Sequence, residues 1–393
     1  MKIGERRNIV FLKDVFFLSL TAFGGPQAHL LLFLKTFVEK RKFLTESELI
    51  ELQSLCQILP GPTSTQIITA IGFRVGKAKL AYLTLLIWIL PATIIMTVSA
   101  IVVSMLKTNN ASLKFTGFIQ PMAIGFIIYA VISFGKKILI SQSSIVLFTL
   151  STILAVLFPS PYVTPLLLFL GGLFAALKFR RQEKMEKQPI HIQWGNFILW
   201  VCVLLTSAII GKITNNLPIR LFENFYRNGS LAFGGGHVLK PLLYTEFVQF
   251  KHYLSPEEFL SGLAIAEIIP GPVFSFAAFV GGLSMQKEGI DGIILGSAMA
   301  TLGIFLPGAF MIFFVIRFWE QLKKYRGIRA SLEGINAVSI GLSAASALLI
   351  LIPFLHDFRF IIITFATVLI LKFTKIPPYL LILVGIIAGI ALN

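Results

Sequence analysis

The chain has 393 residues, of which 56% are hydrophobic and only 13% charged, with a mean hydropathy of +0.85. Soluble domains carry about 25% charged residues, so the composition excludes an ordinary soluble fold. The net charge of +16 is divided among short Lys and Arg clusters between apolar runs, with no aromatic-interleaved basic domain. That pattern excludes a nucleic-acid partner and reads as positive cytoplasmic loops.

Apolar runs of roughly 20 residues recur, each long enough as a helix to cross a bilayer. The expected class is therefore an all-α polytopic membrane protein. Two cysteines, Cys56 and Cys202, form neither a disulfide framework nor a metal-ligand spacing, and no metal or other cofactor is expected. The basic N-terminus, Met1 to Lys13, lacks the apolar core and cleavage site of a signal peptide and is expected to be retained.

The first apolar segment, Phe11 to Val38, is interrupted by Gly24-Gly25-Pro26. Glycine weakens a helix and proline breaks its ladder, so two arms too short to span are expected. Basic residues flank both outer ends, which suits a re-entrant hairpin. Glu46 to Leu59 is amphipathic, then Pro60-Gly61-Pro62 breaks the chain before a second short arm, Thr63 to Phe73. Spans are expected near Leu80 to Met105, Phe115 to Gly135, Ser144 to Phe158 and Tyr162 to Leu177. Lys178 to Lys187 is the only long hydrophilic linker.

Both broken motifs then return. Phe233-Gly234-Gly235 and Pro270-Gly271-Pro272 lie 210 positions after Phe23-Gly24-Gly25 and Pro60-Gly61-Pro62, a register-preserving internal duplication. The second half reads as hairpins Arg220 to Phe250 and Glu257 to Met285, followed by spans near Ile290 to Ile316, Ile335 to Leu355, Phe360 to Leu371 and Tyr379 to Leu392. After an insertion the register becomes 216, as Pro91 with Pro307 and Gly125 with Gly341 show. Gly195 to Ile210 has no counterpart, and one unpaired span between two halves inverts the second. Loop charge agrees, since basic Lys35 to Phe43 corresponds to Thr245 to Glu258, which carries three glutamates against one lysine. The expected organisation is a first membrane repeat over 1–178, a linker with the unpaired helix over 179–218 and an inverted repeat over 219–393. About 13 hydrophobic segments are counted, four of them broken.

Inverted repeats with matching broken segments point to a secondary transporter. A helix that begins inside the membrane presents unpaired N–H groups and the positive end of its dipole, a cradle for an anion. The candidate substrate-binding residues are Gly24, Gly25, His29, Pro60, Gly61, Pro62, Thr63, Ser64, Thr65, Gly234, Gly235, His237, Pro270, Gly271, Pro272 and Ser275. Several have a plainer reading: Thr63 and Ser64 as helix caps, the glycines as close-packing positions, the histidines as satisfied structural groups. Glu267, in an apolar arm three residues before Pro270, is the proton-coupling candidate; its plainer role is pairing with a fixed cation such as Lys240 or Arg74. Lys77 and Lys287 are in register and read either as pathway-mouth charges or as routine flanks. A membrane-embedded enzyme is set aside, because no metal cluster, phosphate-binding lysine loop or activated nucleophile is present in the sequence.

At these motifs the chain resembles the chromate ion transporter family, in its long-chain, two-domain form. The resemblance rests on Phe23-Gly24-Gly25-Pro26 with His29, Pro60-Gly61-Pro62 with Thr63 to Gln66, Phe233-Gly234-Gly235-Gly236-His237, and Pro270-Gly271-Pro272 with Phe274-Ser275-Phe276. It implies export of chromate across the bacterial cytoplasmic membrane, driven by the membrane potential or a proton gradient, and hence chromate resistance. Sulfate, a tetrahedral dianion of similar size, is the alternative substrate, taken up or exchanged. The expected partners are this inorganic oxyanion and the lipid bilayer, and a homodimer is compatible with the sequence.

Overall fold

The computed structural model describes residues 3–23, 25–108, 118–158, 160, 163–177, 192–233, 236–318, 325–374, 376 and 378–392. Among the described residues the regular structure is helical, with one isolated antiparallel bridge between Pro60 and Phe233. The expected linker Lys178 to Lys187 and the turn glycines Gly24, Gly234 and Gly235 lie outside the described residues.

In the first half, α1 (Ile3–Thr21) ends before the glycine turn and α2 (Gly25–Phe33) begins after it, running on as a π-helical segment, Leu34–Lys40. The arms thus reach further outward than the expected bounds of Phe11 and Val38. α3 (Glu46–Ile58) starts at a capping box in which Thr45 and Glu48 satisfy each other's amides, and it ends before Pro60. α4 (Thr63–Thr108) is two helices joined at Gly76 and Lys77, whose backbones are not helical. α5 (Ile119–Ile138), α6 (Gln142–Leu157) and α7 (Val163–Leu177) follow.

α8 (Gly195–Thr214) precedes the second half. There α9 (Leu217–Leu231), α10 (Gly236–Leu243) with a π-helical continuation Tyr244–Phe250, and α11 (Pro256–Ile268) lead to a 3-10 turn, Val273–Ser275. α12 (Phe276–Ser284), α13 (Gly289–Val315), α14 (Arg326–Leu351), α15 (Phe358–Phe373) and α16 (Pro378–Leu392) complete the chain. The π segments and α3 with α11 recur 210 positions apart, and α6 with α15 recurs at 216.

The chain forms two compact units, each drawing on both halves. Unit 1 comprises Met1–Ile101, Gln193–Gly235 and Ile268–Arg317; unit 2 comprises Val102–Ile192, Gly236–Glu267 and Phe318–Asn393. In unit 1, α13 packs on α8, α9 and α12, with Gly281 and Gly296 meeting so closely that neither position has room for a Cβ. In unit 2, α14 packs on α5, α6, α7 and α10 through contacts such as Gly171 with Gly334. Small residues at such crossings let helix backbones approach where apolar burial gives helices no preference for each other over lipid. The packing is also reciprocal: Gly125 of α5 lies on Thr364 and Thr367 of α15, while Gly341 of α14 lies on Phe148 and Ser151 of α6, the positions 216 earlier.

Among the described residues, four helices are long and apolar enough to cross a membrane: Thr63–Leu106, Gly195–Thr214, Gln286–Val315 and Glu333–Phe354. On α4, Leu86, Leu90, Ile94, Val98 and Val102 are all exposed at a spacing of four, an uninterrupted apolar ridge along one face. Water disfavours such a ridge and lipid does not. The chain is an all-α membrane protein.

Candidate functional site

In unit 1 the two broken motifs of each half dock against those of the other. The amide of Gly61 donates to Ala232 O at 3.0 Å, and the amide of Gly271 donates to Ala22 O at 2.9 Å. Donors and acceptors alike are 210 positions apart, so each Pro-Gly-Pro turn is tied to the residue before the glycine turn of the opposite half. Both glycines have a positive φ, +113° at Gly61 and +106° at Gly271, which side chains rarely adopt. Each also faces a helix just past its internal proline: a Cβ on Gly61 would lie 3.0 Å from Gly308 Cα, and one on Gly271 2.9 Å from Ala92 Cβ.

Beyond each turn a helix begins inside the protein. Pro62 O accepts the first α4 bond, from Gln66 N at 2.9 Å, so the amides of Thr63, Ser64 and Thr65 precede the intrahelical ladder. All three side chains are buried. On the other arm Ser275 N donates to Pro272 O at 2.9 Å, which makes a 3-10 turn before α12. The hydroxyls of Thr65 and Ser275, 210 positions apart, are both buried and both without a hydrogen-bond partner. So is that of Thr69, one turn further along α4. Buried hydroxyls normally find a partner, and leaving one unmet costs about 1–3 kcal/mol.

Gln66 and His29 brace the two junctions differently. Gln66 donates from Nε2 to Pro60 O at 2.8 Å and to Gly308 O at 3.2 Å, which locks the first turn against α13. His29 is fully buried, with Nε2 3.1 Å from Ala22 O, the oxygen that also accepts from Gly271. A carbonyl partner requires a proton on Nε2, so the neutral ring has a lone pair at Nδ1, which has no partner. Trp88 and Phe33 pack around the ring, at centroid distances of 5.3 and 6.4 Å. In this state His29 holds the turn and offers no donor to an anion.

Glu267 lies in unit 2, at the end of α11, and its carboxylate pairs with the ammonium of buried Lys240 on α10. The other cation considered from sequence, Arg74, is bound to Glu48 at 2.9 Å and reaches Glu51 at 3.8 Å. Gly25 opens α2, while Pro60, Pro62, Pro270 and Pro272 flank the turn glycines; the side chain of His237 is outside the described residues. Lys77 is not a simple flank, since it forms the α4 joint at φ 63° and ψ −163°. Sequence reasoning had no signal for Thr69 or for the bracing role of Gln66, because both depend on which helix lies opposite. Among the described residues no cluster of metal-binding side chains occurs.

A family model described as chromate transporter matches residues 10–177 and 219–390. The chain is 25% identical over 339 residues to the chromate transport protein of Pseudomonas aeruginosa, covering 84% of this chain and 78% of the relative. It is 24% identical over 389 residues to the chromate transport protein of Cupriavidus metallidurans, covering 94% and 90%. With an uncharacterized transporter of Methanocaldococcus jannaschii it shares 24% identity over 353 residues, covering 87% and 85%. No solved structure matches the chain. Because the family model takes in both halves, including all four broken motifs, the chain belongs to the chromate transporter family.

Proposed function

We propose that this protein is a secondary transporter that exports chromate across the bacterial cytoplasmic membrane as a multi-pass protein, and thereby confers chromate resistance. Its two halves are inverted repeats, related through the single unpaired crossing α8 (Gly195–Thr214). The oxyanion binds at the helix starts behind the Pro-Gly-Pro turns. There the orphan amides of the first turn carry partial positive charge, and Thr63, Ser64, Thr65 and Ser275 add hydroxyl donors.

The observation that carries this reading is the pair of buried, unpartnered hydroxyls on Thr65 and Ser275, at matched positions of the two arms. A tetrahedral dianion supplies the acceptors these groups lack. The glycine turns and His29 position the helix starts, because their hydrogen bonds are spent on backbone carbonyls. Glu267 is the proton-coupling group, an acid in an apolar arm whose cation partner is a single lysine.

Inside-out membrane vesicles test the reading. Under an imposed potential or proton gradient, vesicles containing the protein should accumulate labelled chromate, and sulfate in excess should compete poorly. Vesicles with correctly oriented protein and no gradient-dependent accumulation would overturn export.

A further inference from the structure

The ion pair of Lys240 and Glu267 has no equivalent in the first half, where the positions 210 earlier are Leu30 and Gln57. The local structure does not depend on it: α3 and α11 have matching bounds at an interval of 210, and the helices before them run into matching π segments. Nor does burial favour it, because desolvation largely offsets the attraction within a buried pair, and apolar residues of equal volume serve as well. The fold alone gives no reason for this pair.

Its two members are not equally held. Glu267 is in the last turn of α11, which has no basic residue there and ends at Ile268 before the Pro-Gly-Pro turn. Free carbonyls at a helix C-terminus carry partial negative charge and repel a carboxylate. The Glu267 side chain is 19% exposed and that of Lys240 11%, so the carboxylate is the more accessible member of the pair. Two other acids of unit 2 are engaged elsewhere: Glu246 pairs with Lys251 at 3.2 Å, and Glu258 accepts from Ser255 N at 2.7 Å. Glu267 is thus the replaceable partner of a fixed, buried cation.

We infer that Lys240 is an oxyanion receptor whose resident counter-ion is Glu267. A tetrahedral dianion takes the ammonium by displacing the carboxylate, which turns to water. The exchange keeps the buried ammonium paired throughout, and a dianion offers it twice the charge of the carboxylate it replaces. This inference rests on the transporter reading and places an anion-binding residue within unit 2.

Equilibrium binding of labelled chromate and of labelled sulfate to the purified full-length protein tests it. Glu267→Gln should tighten the chromate Kd about tenfold, because the competitor is gone, and Lys240→Gln should weaken it by about tenfold or more. The double variant Lys240→Leu with Glu267→Gln restores the Leu and Gln of the first half. It should fold with at least wild-type thermal stability, so it carries the test if the unpaired carboxylate unfolds Lys240→Gln. Wild-type Kd and stoichiometry in the double variant, or an unchanged or weaker Kd in Glu267→Gln, would overturn the receptor role alone. Failure of the wild-type protein to bind either anion would instead overturn the transporter reading and this inference with it.

Discussion

Gly271 donates its amide to the carbonyl of Ala22 at 2.9 Å, and a Cβ on that glycine would meet Ala92 Cβ at 2.9 Å. Two constraints therefore act on one position, a positive φ and a close approach. Gly271→Ala should destabilise the protein by about 2 kcal/mol and reduce transport. Adding Ala92→Gly should recover part of the stability, since position 308, the counterpart of Ala92, is already glycine. At Gly61 no such rescue exists, because the nearest atom is the Gly308 backbone. Thermal unfolding of wild type, the two single variants and the double variant in detergent, read as a double-mutant cycle, checks this.

Thr65→Val and Ser275→Ala separate binding from stability. Each removes a buried hydroxyl that has no partner, so stability should stay level or rise by about 1 kcal/mol. Chromate affinity should fall about tenfold or more for each, the loss of one hydrogen bond to a charged ligand. Unfolding curves beside equilibrium binding decide it, and a loss of stability with unchanged binding would mean that the hydroxyls serve the fold.

Lys77 occupies a backbone conformation that glycine prefers, and Gly289 adopts nearly the same angles at φ 75° and ψ −163°. Lys77→Gly should stabilise the joint of α4 by about 1 kcal/mol, provided the side chain has no other duty. If the variant gains stability but loses transport, the charge at position 77 acts in the pathway. Melting temperature and vesicle uptake on the same preparation separate the two.

At the loop end of α3, the Thr45 amide donates to Glu48 at 2.7 Å, and with Arg74 nearby this holds the Glu48 carboxyl below the usual carboxylate range. A lowered folded-state value means the stabilisation is complete above the unfolded value of about 4.3 and fades as pH falls through the folded one. Wild type should therefore lose its advantage over Glu48→Gln below about pH 4, while the two differ at neutral pH. Melting temperatures of both proteins across that pH range check the sign.

The sequence by itself determined the membrane class, the helix breaks and their spacing, because proline, glycine and apolar length act locally. It placed α3 and α6 within about two residues and found the 210 and 216 intervals. The π-helical segments escaped it, since an extra residue in a helical turn leaves no compositional mark. Lys77 read as a pathway-mouth or flanking charge; Gly76 beside it marks a weak point in the helix, but only the structure puts the positive φ on the lysine rather than on the glycine. Only the tertiary structure decided which partners the broken ends take. Gly61 reaches Ala232 and Gly271 reaches Ala22 across more than 170 residues of chain, and a local pattern cannot specify such a pairing. The same holds for the hydroxyls of Thr65 and Ser275, where the sequence supplied the donors and the packing left them without acceptors.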